Sequence, residues 1–118
     1  MNRLVVIALV VALPISACSG SEEVTCRPDG AELRLVAEGN RFDTDCLAAP
    51  ADQEFTIAFR NDDTAVHNLA IRSGVSAVFT GESLSGGSVI YEVQSLPAGT
   101  YSFRCDHHPF MRGTFVVK

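Results

Sequence analysis

The residues with the richest coordination chemistry lie near the end of the chain, in residues 105–111 (Cys-Asp-His-His-Pro-Phe-Met). Two soft sulfur donors and a nitrogen donor of borderline softness favour copper over zinc, magnesium or calcium. A trigonal set of one cysteine and two histidines, with a weak axial methionine, is characteristic of blue-copper sites. Such a site needs a further histidine from outside the segment, and His67, in the apolar stretch 65–69, is the candidate.

The segments that must position these donors have the pattern of short β-strands. Phe55, Ile57 and Phe59 alternate with other residues, so these three apolar side chains share one face of a strand. Glycine and proline residues separate such segments. The predicted strands are residues 33–36, 54–60, 66–71, 88–93, 100–105 and 114–117. Many short strands in a chain of this length indicate an all-β sandwich or barrel that forms a single domain.

The strand pattern also predicts where the donors point. Phe103 and Cys105 fall on the inward face of their strand, which directs the thiol toward the core at the strand end. Pro109 lacks an amide hydrogen and biases the preceding residue toward extended geometry, so residues 106–112 must form a loop. A loop that bends back would bring its histidine and methionine beside the thiol, and His67 would close the trigonal plane.

The start of the chain has the pattern of a secretory signal. A short basic start precedes a continuous apolar run at residues 4–13, and Ile-Ser-Ala comes directly before Cys18. The run is too short to span a bilayer, and the residues before Cys18 are similar to a bacterial lipobox. Ordinary cleavage that leaves Cys18 unmodified is the alternative. The predicted division is a lipoprotein signal peptide at residues 1–17, lipidated Cys18 and a tether at residues 18–30, and the domain at residues 31–118.

Export makes the other cysteines informative, because thiols tend to pair outside the cytoplasm. With Cys18 assigned to lipid, Cys26, Cys46 and Cys105 remain. A copper-binding Cys105 must stay out of a disulfide, so a bond between Cys26 and Cys46 is predicted. The competing interpretation pairs Cys105 with one of the other two and leaves a reactive free thiol. We expect an extracytoplasmic protein anchored to a bacterial membrane through Cys18.

The charge of the chain limits its partners. Nine basic and 14 acidic residues give a formal net charge of −5 at pH 7. This charge disfavours nucleic acid and anionic membrane surfaces, whereas a basic patch on a cytochrome or an oxidase is compatible with it. Four acidic residues are interpreted as solvated loop charges: Asp52, Asp62, Asp63 and Glu82.

The chain resembles the cupredoxins over residues 31–118. Its Cys-x-x-His-Pro-Phe-Met-Arg-Gly segment at residues 105–113 is most similar to the ligand loop of amicyanins, with pseudoazurins and plastocyanins more distant. Further matches are Asn-x-Asp-x-x-x-His-Asn at residues 61–68, Leu-Pro-Ala-Gly-Thr-Tyr at residues 96–101 and the closing Gly-Thr-Phe-Val-Val at residues 113–117. The resemblance implies a cupredoxin-like Greek-key β-sandwich.

The resemblance also implies the residues of the site. Asn68 matches the family's asparagine that braces the cysteine loop by hydrogen bonds, and Asp106 is expected to support the ligands as well. The implied cofactor is one copper ion that alternates between Cu(I) and Cu(II). Its four ligands carry over onto His67, Cys105, His108 and Met111.

Two adjacent histidines, His107 and His108, are candidates for the histidine ligand in the loop. His108 is the third residue after Cys105, as in the resembling loops, and it directly precedes Pro109. His107 stands where the amicyanin loop usually has proline, and in an extended segment its side chain points the opposite way. We therefore predict that His108 is the ligand and that His107 is exposed. Phe110 is expected to be exposed beside the site.

Taken singly, the donors have simpler interpretations. A histidine in an apolar strand, such as His67, is usually a core residue, and Met111 alone would more often be packing. Zinc would need further cysteine or histidine, or a carboxylate in place of Met111. A binuclear copper centre would need a second cysteine near Cys105. The spacing of all four donors together favours a single copper ion.

The resemblance implies single-electron transfer between extracytoplasmic redox partners. Because protein donors would fill every coordination position, we expect no enzyme activity. The expected partners are a cytochrome, an oxidase or a dehydrogenase, bound transiently by a monomer. The alternative function is copper carriage or storage, in which the same donors deliver copper to an oxidase or another copper protein. A structural or adhesive β domain with incidental copper is the third interpretation.

Overall fold

The computed structural model describes residues 11–12, 26 and 30–118. This part of the chain contains nine β-strands and no helix. The strands are β1 (Glu32–Glu38), β2 (Arg41–Phe42), β3 (Cys46–Ala49), β4 (Phe55–Asn61), β5 (Ala70–Ser73), β6 (Ser76–Thr80), β7 (Gly87–Val93), β8 (Gly99–Arg104) and β9 (Arg112–Val117).

The strands form two sheets. The first sheet has the order β2-β1-β4-β7, and the second has the order β3-β9-β8-β5-β6. β1 pairs in parallel with β4, and β3 pairs in parallel with β9. The remaining pairs are antiparallel. The all-β architecture predicted from the sequence is confirmed.

The core lies between the two sheets and follows from the alternation along β4. Phe55, Ile57 and Phe59 are buried, as predicted, while Ala58 between them is exposed. The Phe55 ring centroid lies 5.6 Å from that of Phe115 in the second sheet. Each such side chain contributes roughly 1.5–3 kcal/mol when it is fully buried rather than exposed. The sheets therefore form a rigid support whose ends can hold irregular loops.

The sequence prediction was wrong for some strand bounds. Residues 66–69, predicted to begin a strand, belong to an irregular connection, and β5 begins only at Ala70. Three strands were missed because they lack an alternating pattern: β2 has two residues, β3 is buried at all four positions, and β6 is half-buried or exposed throughout. Tertiary contacts, rather than periodicity, define these elements.

The N-terminal predictions fall mostly outside the described residues. Most of the predicted signal peptide, Cys18 and most of the tether lie outside the described residues. Cys26 forms a disulfide with Cys46, at the start of β3, and Cys105 is a free, buried thiol. The competing pairing of Cys105 is therefore not the one that the structure has. Among the described residues, no helix is long and apolar enough to cross a membrane.

Candidate metal centre

The ligand loop, residues 105–111, joins β8 to β9. Arg104 and Arg112 are directly paired where the two strands meet the loop. Inside this pair, the Cys105 N–H donates to the Met111 carbonyl over 2.9 Å. The antiparallel ladder therefore continues to the ends of the loop and fixes the backbone of Cys105, whose side chain is fully buried.

A tight turn brings the other loop donors back toward Cys105. The Met111 N–H donates to the His108 carbonyl over 2.9 Å, which closes a four-residue turn. Pro109 occupies the second position of this turn, where its fixed φ is favourable. Met111 is 3 % exposed and belongs to the same buried cluster as Cys105. The loop thus combines a backbone that is held at both ends with a buried sulfur at each end.

His67 reaches the site from the β4–β5 connection, residues 62–69. It forms an isolated antiparallel bridge with Leu84, and the two residues exchange backbone hydrogen bonds of 3.0 and 2.9 Å. The His67 side chain is fully buried. The prediction that a regular strand carries His67 was wrong, since a single bridge holds it.

The structure brings three donor atoms together. The Cys105 Sγ lies 3.7 Å from the His67 Nδ1 and 3.8 Å from the His108 Nδ1. The three atoms all lie within 4.8 Å of one another. A metal–sulfur bond of about 2.3 Å and a metal–nitrogen bond of about 2.0–2.1 Å at 120° place the two donor atoms roughly 3.7–3.8 Å apart, so both sulfur–nitrogen distances fit a trigonal ion. Met111 lies in the same hydrophobic core as Cys105, and with its sulfur the donor types match those of a single copper ion.

Asp63 fixes the orientation of the His67 ring. Its carboxylate Oδ2 lies 2.8 Å from the His67 Nε2. Since an ionised carboxylate can only accept, the Nε2 carries the proton and donates it, which leaves the Nδ1 lone pair facing the Cys105 Sγ. The interpretation of Asp63 as a solvated loop charge was therefore wrong. Only its four-residue separation from His67 could have indicated the pair in the sequence.

The Asp63 carboxylate is itself held by the turn between β1 and β2. It accepts hydrogen bonds from the Gly39 N–H at 2.7 Å and the Asn40 N–H at 2.9 Å. Both turn residues have positive φ, 63° and 56°, as in the two-residue hairpins that glycine and asparagine favour. The N–H groups of Asn40 and Gly39, and then the His67 ring, hold the pKa of Asp63 below its ordinary value. The carboxylate therefore stays ionised and keeps its partner oriented.

Asn68 and Asp106 connect the two segments that carry the donors. The Asp106 N–H donates to the Asn68 Oδ1 over 2.8 Å, and the Asn68 Nδ2 donates to the Asp106 Oδ2 over 3.1 Å. The Asn68 Nδ2 also donates to the Gly81 carbonyl over 3.2 Å. Asn68 is buried and Asp106 is exposed, so these bonds connect the core to the surface of the ligand loop. The two residues predicted to support the ligands thus brace the ligand loop directly.

The neighbouring His107 points away from the donor cluster. Its side chain is exposed, and its Nε2 lies 2.7 Å from the Ser83 hydroxyl. His108, in contrast, is half-buried, with its ring centroid 4.7 Å from that of His67. Phe110 is 68 % exposed beside it. The geometry therefore favours His108 as the loop donor, as the sequence spacing predicted.

Comparisons with known proteins agree with this fold. Auracyanin from Roseiflexus castenholzii, in its dithionite-reduced form, has 18% identity and a TM-score of 0.66, covering 77% of this chain and 99% of that one. Auracyanin A from Chloroflexus aurantiacus, described as a "blue" copper protein, has 20% identity and a TM-score of 0.64, covering 77% and 100%. Amicyanin from Paracoccus versutus has 27% identity and a TM-score of 0.58, covering 74% and 81%. A comparison with curated proteins found no match.

A two-sheet sandwich with buried cysteine and histidine donors at one end defines a class of single-domain metalloprotein. The family model of the cupredoxin-like domain matches residues 5–117. The chain therefore belongs to the cupredoxin-like family.

Proposed function

We propose that this protein is a lipid-anchored blue-copper electron carrier, which exchanges single electrons with extracytoplasmic redox partners and catalyses no reaction of its own. The observation that carries the proposal is the convergence of the Cys105 Sγ and the Nδ1 atoms of His67 and His108, which all lie within 4.8 Å of one another. Auracyanin A, of the same fold, is described as a "blue" copper protein. A bound copper ion supplies a one-electron Cu(I)/Cu(II) couple.

The residues around the donors favour small changes in geometry during such an exchange. Hydrogen bonds to the Asp63 carboxylate and to the Asn68 Oδ1 fix the His67 ring and the ligand loop independently of any metal. A site whose donors are held in place by the protein rearranges little when the charge of its metal changes. Burial of Cys105, His67 and Met111 keeps water from the donors.

His108 is the proposed route for electrons to leave the protein. It is the half-buried member of the donor set, and the exposed Phe110 ring lies with its centroid 5.8 Å from the His108 ring. A partner that covers the exposed Phe110 ring would contact His108, a proposed copper ligand. We expect the contact to be small and transient, as in other electron-transfer complexes.

The electron-carrier proposal is tested by voltammetry of the full chain loaded with Cu(II). We expect a reversible one-electron wave, and no wave from the same protein loaded with redox-inactive zinc. A protein without a reversible wave that readily gives Cu(I) to the chelator bathocuproine disulfonate would instead be a copper carrier. That result would contradict the proposal.

The lipid anchor is proposed from the residues before Cys18, with a bacterial membrane as its location. Cys18→Ser, expressed in a bacterial host, should move the protein from the membrane fraction to the soluble extracytoplasmic fraction. Mass spectrometry of the unsubstituted protein should show a diacylglycerol-modified N-terminal cysteine. An unmodified Cys18 in the mature protein would contradict the anchor without affecting the copper site.

A further inference from the structure

Three arginines form a basic patch on the outer face of the second sheet. They are Arg72 of β5, Arg104 of β8 and Arg112 of β9, three strands that are adjacent in the sheet. Arg104 is directly opposite Arg112, and Arg72 is opposite Ser102, two residues from Arg104 on the same strand. Because side chains two residues apart share a face, all three guanidinium groups lie on one side of the sheet.

The patch lines a groove of about 580 Å³ that reaches the ligand loop. Pro109 also lines this groove, and among its described lining residues Asp45 supplies the one carboxylate. Arg104 directly precedes the ligand Cys105 in sequence, and Arg112 directly follows Met111. A molecule bound in the groove would therefore lie beside the backbone of the ligand loop.

The fold gains little from this arrangement of charges. Like charges directly opposite on a sheet are destabilising, as for Arg104 and Arg112. In the part of the chain that the structure describes, neither Arg72 nor Arg112 forms an ion pair, and Arg104 has a long contact of 3.4 Å to Asp106. A hydrogen bond from Arg72 to the Val75 carbonyl is the structural contact of that side chain. Stability therefore does not account for the patch.

We propose that this arginine patch docks the acidic surface of a protein redox partner, in an orientation that places the partner beside the ligand loop. The inference rests on the proposed electron-carrier function and names the chemistry of the partner. The chain has a net charge of −5, so an acidic partner is repelled from most of its surface. A local basic patch in such a field selects one orientation of approach. The partner is thus acidic at the contact, whereas the net charge alone had suggested a basic one.

The test uses a gold surface coated with a carboxylate-terminated monolayer as a defined acidic probe. Binding is measured by surface plasmon resonance, and electron transfer by voltammetry of the bound protein. The chain carries Cys18→Ser in all samples, so that no lipid contributes to binding. The double variant Arg72→Gln/Arg112→Gln should bind about fivefold more weakly at low salt, with the difference vanishing near 1 M salt.

Matched controls separate the patch from net charge. Arg34→Gln/Arg60→Gln removes two charges from the outer face of the first sheet and should leave binding within about twofold of the parent. Arg72→Lys/Arg112→Lys should retain binding, since charge is preserved. Asp45→Asn removes the carboxylate of the groove and should strengthen binding.

The outcomes distinguish the two proposals. Equal losses of binding in both glutamine double variants would overturn the docking surface. So would selective binding of the patch to phosphatidylglycerol vesicles with no preference for the carboxylate monolayer, which would identify a membrane contact instead. Binding that depends on the patch but carries no current from the parent protein would contradict the electron-carrier function and leave an acidic docking site established.

Discussion

The ligand loop, residues 105–111, and the β4–β5 connection, residues 62–69, contribute to one site in opposite ways. The loop carries three of the donors within seven residues and is closed by its own hydrogen bonds, from Cys105 to Met111 and from Met111 to His108. The connection carries His67 and depends on distant parts of the chain, through Leu84 and the turn that holds Asp63. The loop is a local structure, whereas the connection is defined by tertiary contacts.

This difference explains which variants should affect the metal and which should affect the fold. Local hydrogen bonds re-form whenever β8 and β9 pair, so the loop should tolerate changes at its exposed residues. The connection is instead held by distant residues, Leu84 and the turn that fixes Asp63, and its buried polar groups are costly when unpaired. The most sensitive residues are therefore expected on the connection and where it meets the loop.

Asn68→Ala should have the largest effect, because Asn68 joins the two segments. The substitution leaves the Asp106 N–H and the Gly81 carbonyl without their side-chain partner. We expect a loss of about 3 kcal/mol in the free energy of unfolding of the metal-free protein. Urea denaturation measures this loss, with Gln94→Ala at an exposed position as the control. A loss below about 1 kcal/mol would show that the loop does not need the connection.

Asp63→Asn should weaken metal binding by about 10- to 100-fold, the usual effect of removing a carboxylate that supports a ligating histidine. It should also raise the reduction potential, because the His67 imidazole becomes less electron-rich. Competition with a copper chelator measures the affinity, and voltammetry measures the potential. Asp62→Asn is the control, since this neighbouring carboxylate pairs with Arg60 instead. Equal behaviour of the two variants would contradict the role assigned to Asp63.

Tyr91→Phe should remove about 1 kcal/mol of stability at neutral pH, through loss of the hydrogen bond from its hydroxyl to the Glu82 carbonyl. Burial raises the pKa of Tyr91 above its ordinary value. A raised pKa gives stability that is complete below the unfolded value, near pH 10, and declines as the pH rises further. The phenylalanine variant should therefore show a smaller decline in unfolding free energy between pH 10 and 11. If the unfolding free energy falls equally in both proteins between pH 10 and 11, groups other than Tyr91 cause the decline.

Ser83→Ala should have the smallest effect, at most about 0.5 kcal/mol, because its bond to His107 is exposed. Ser85→Ala is a matched exposed control. His107→Ala should likewise leave the visible spectrum of the copper-loaded protein unchanged. Loss of the spectrum in His107→Ala, with retention in His108→Ala, would reverse the choice of ligand between the two histidines.

The predictability of the site follows the same division between local and distant contacts. Cys105, His108 and Met111 are close in sequence, and Pro109 indicates the turn between them, so the loop was predictable from spacing. The role of Asp63 was not, because it requires the Gly39-Asn40 turn to lie against it from another part of the sheet. The spacing of residues within one segment cannot predict a contact with a segment that is distant in sequence.

The fold shows the same limit. Alternation predicted β4 and its buried face, since a half-buried strand needs only its own pattern. Residues 66–69 are apolar enough to suggest a strand, yet burial of the His67 and Asn68 side chains at the site replaces regular pairing there with one bridge. The apolar pattern therefore predicted a strand incorrectly at the place where polar side chains are buried for the site.

The most direct test of the account is the visible absorption spectrum of the Cu(II)-loaded protein beside that of Cys105→Ser. A cysteine thiolate bound to Cu(II) in a trigonal site should give an intense blue or green colour, and the serine variant should lack it. A colourless copper-loaded protein, or a spectrum that is unchanged in Cys105→Ser, would contradict the proposed copper site.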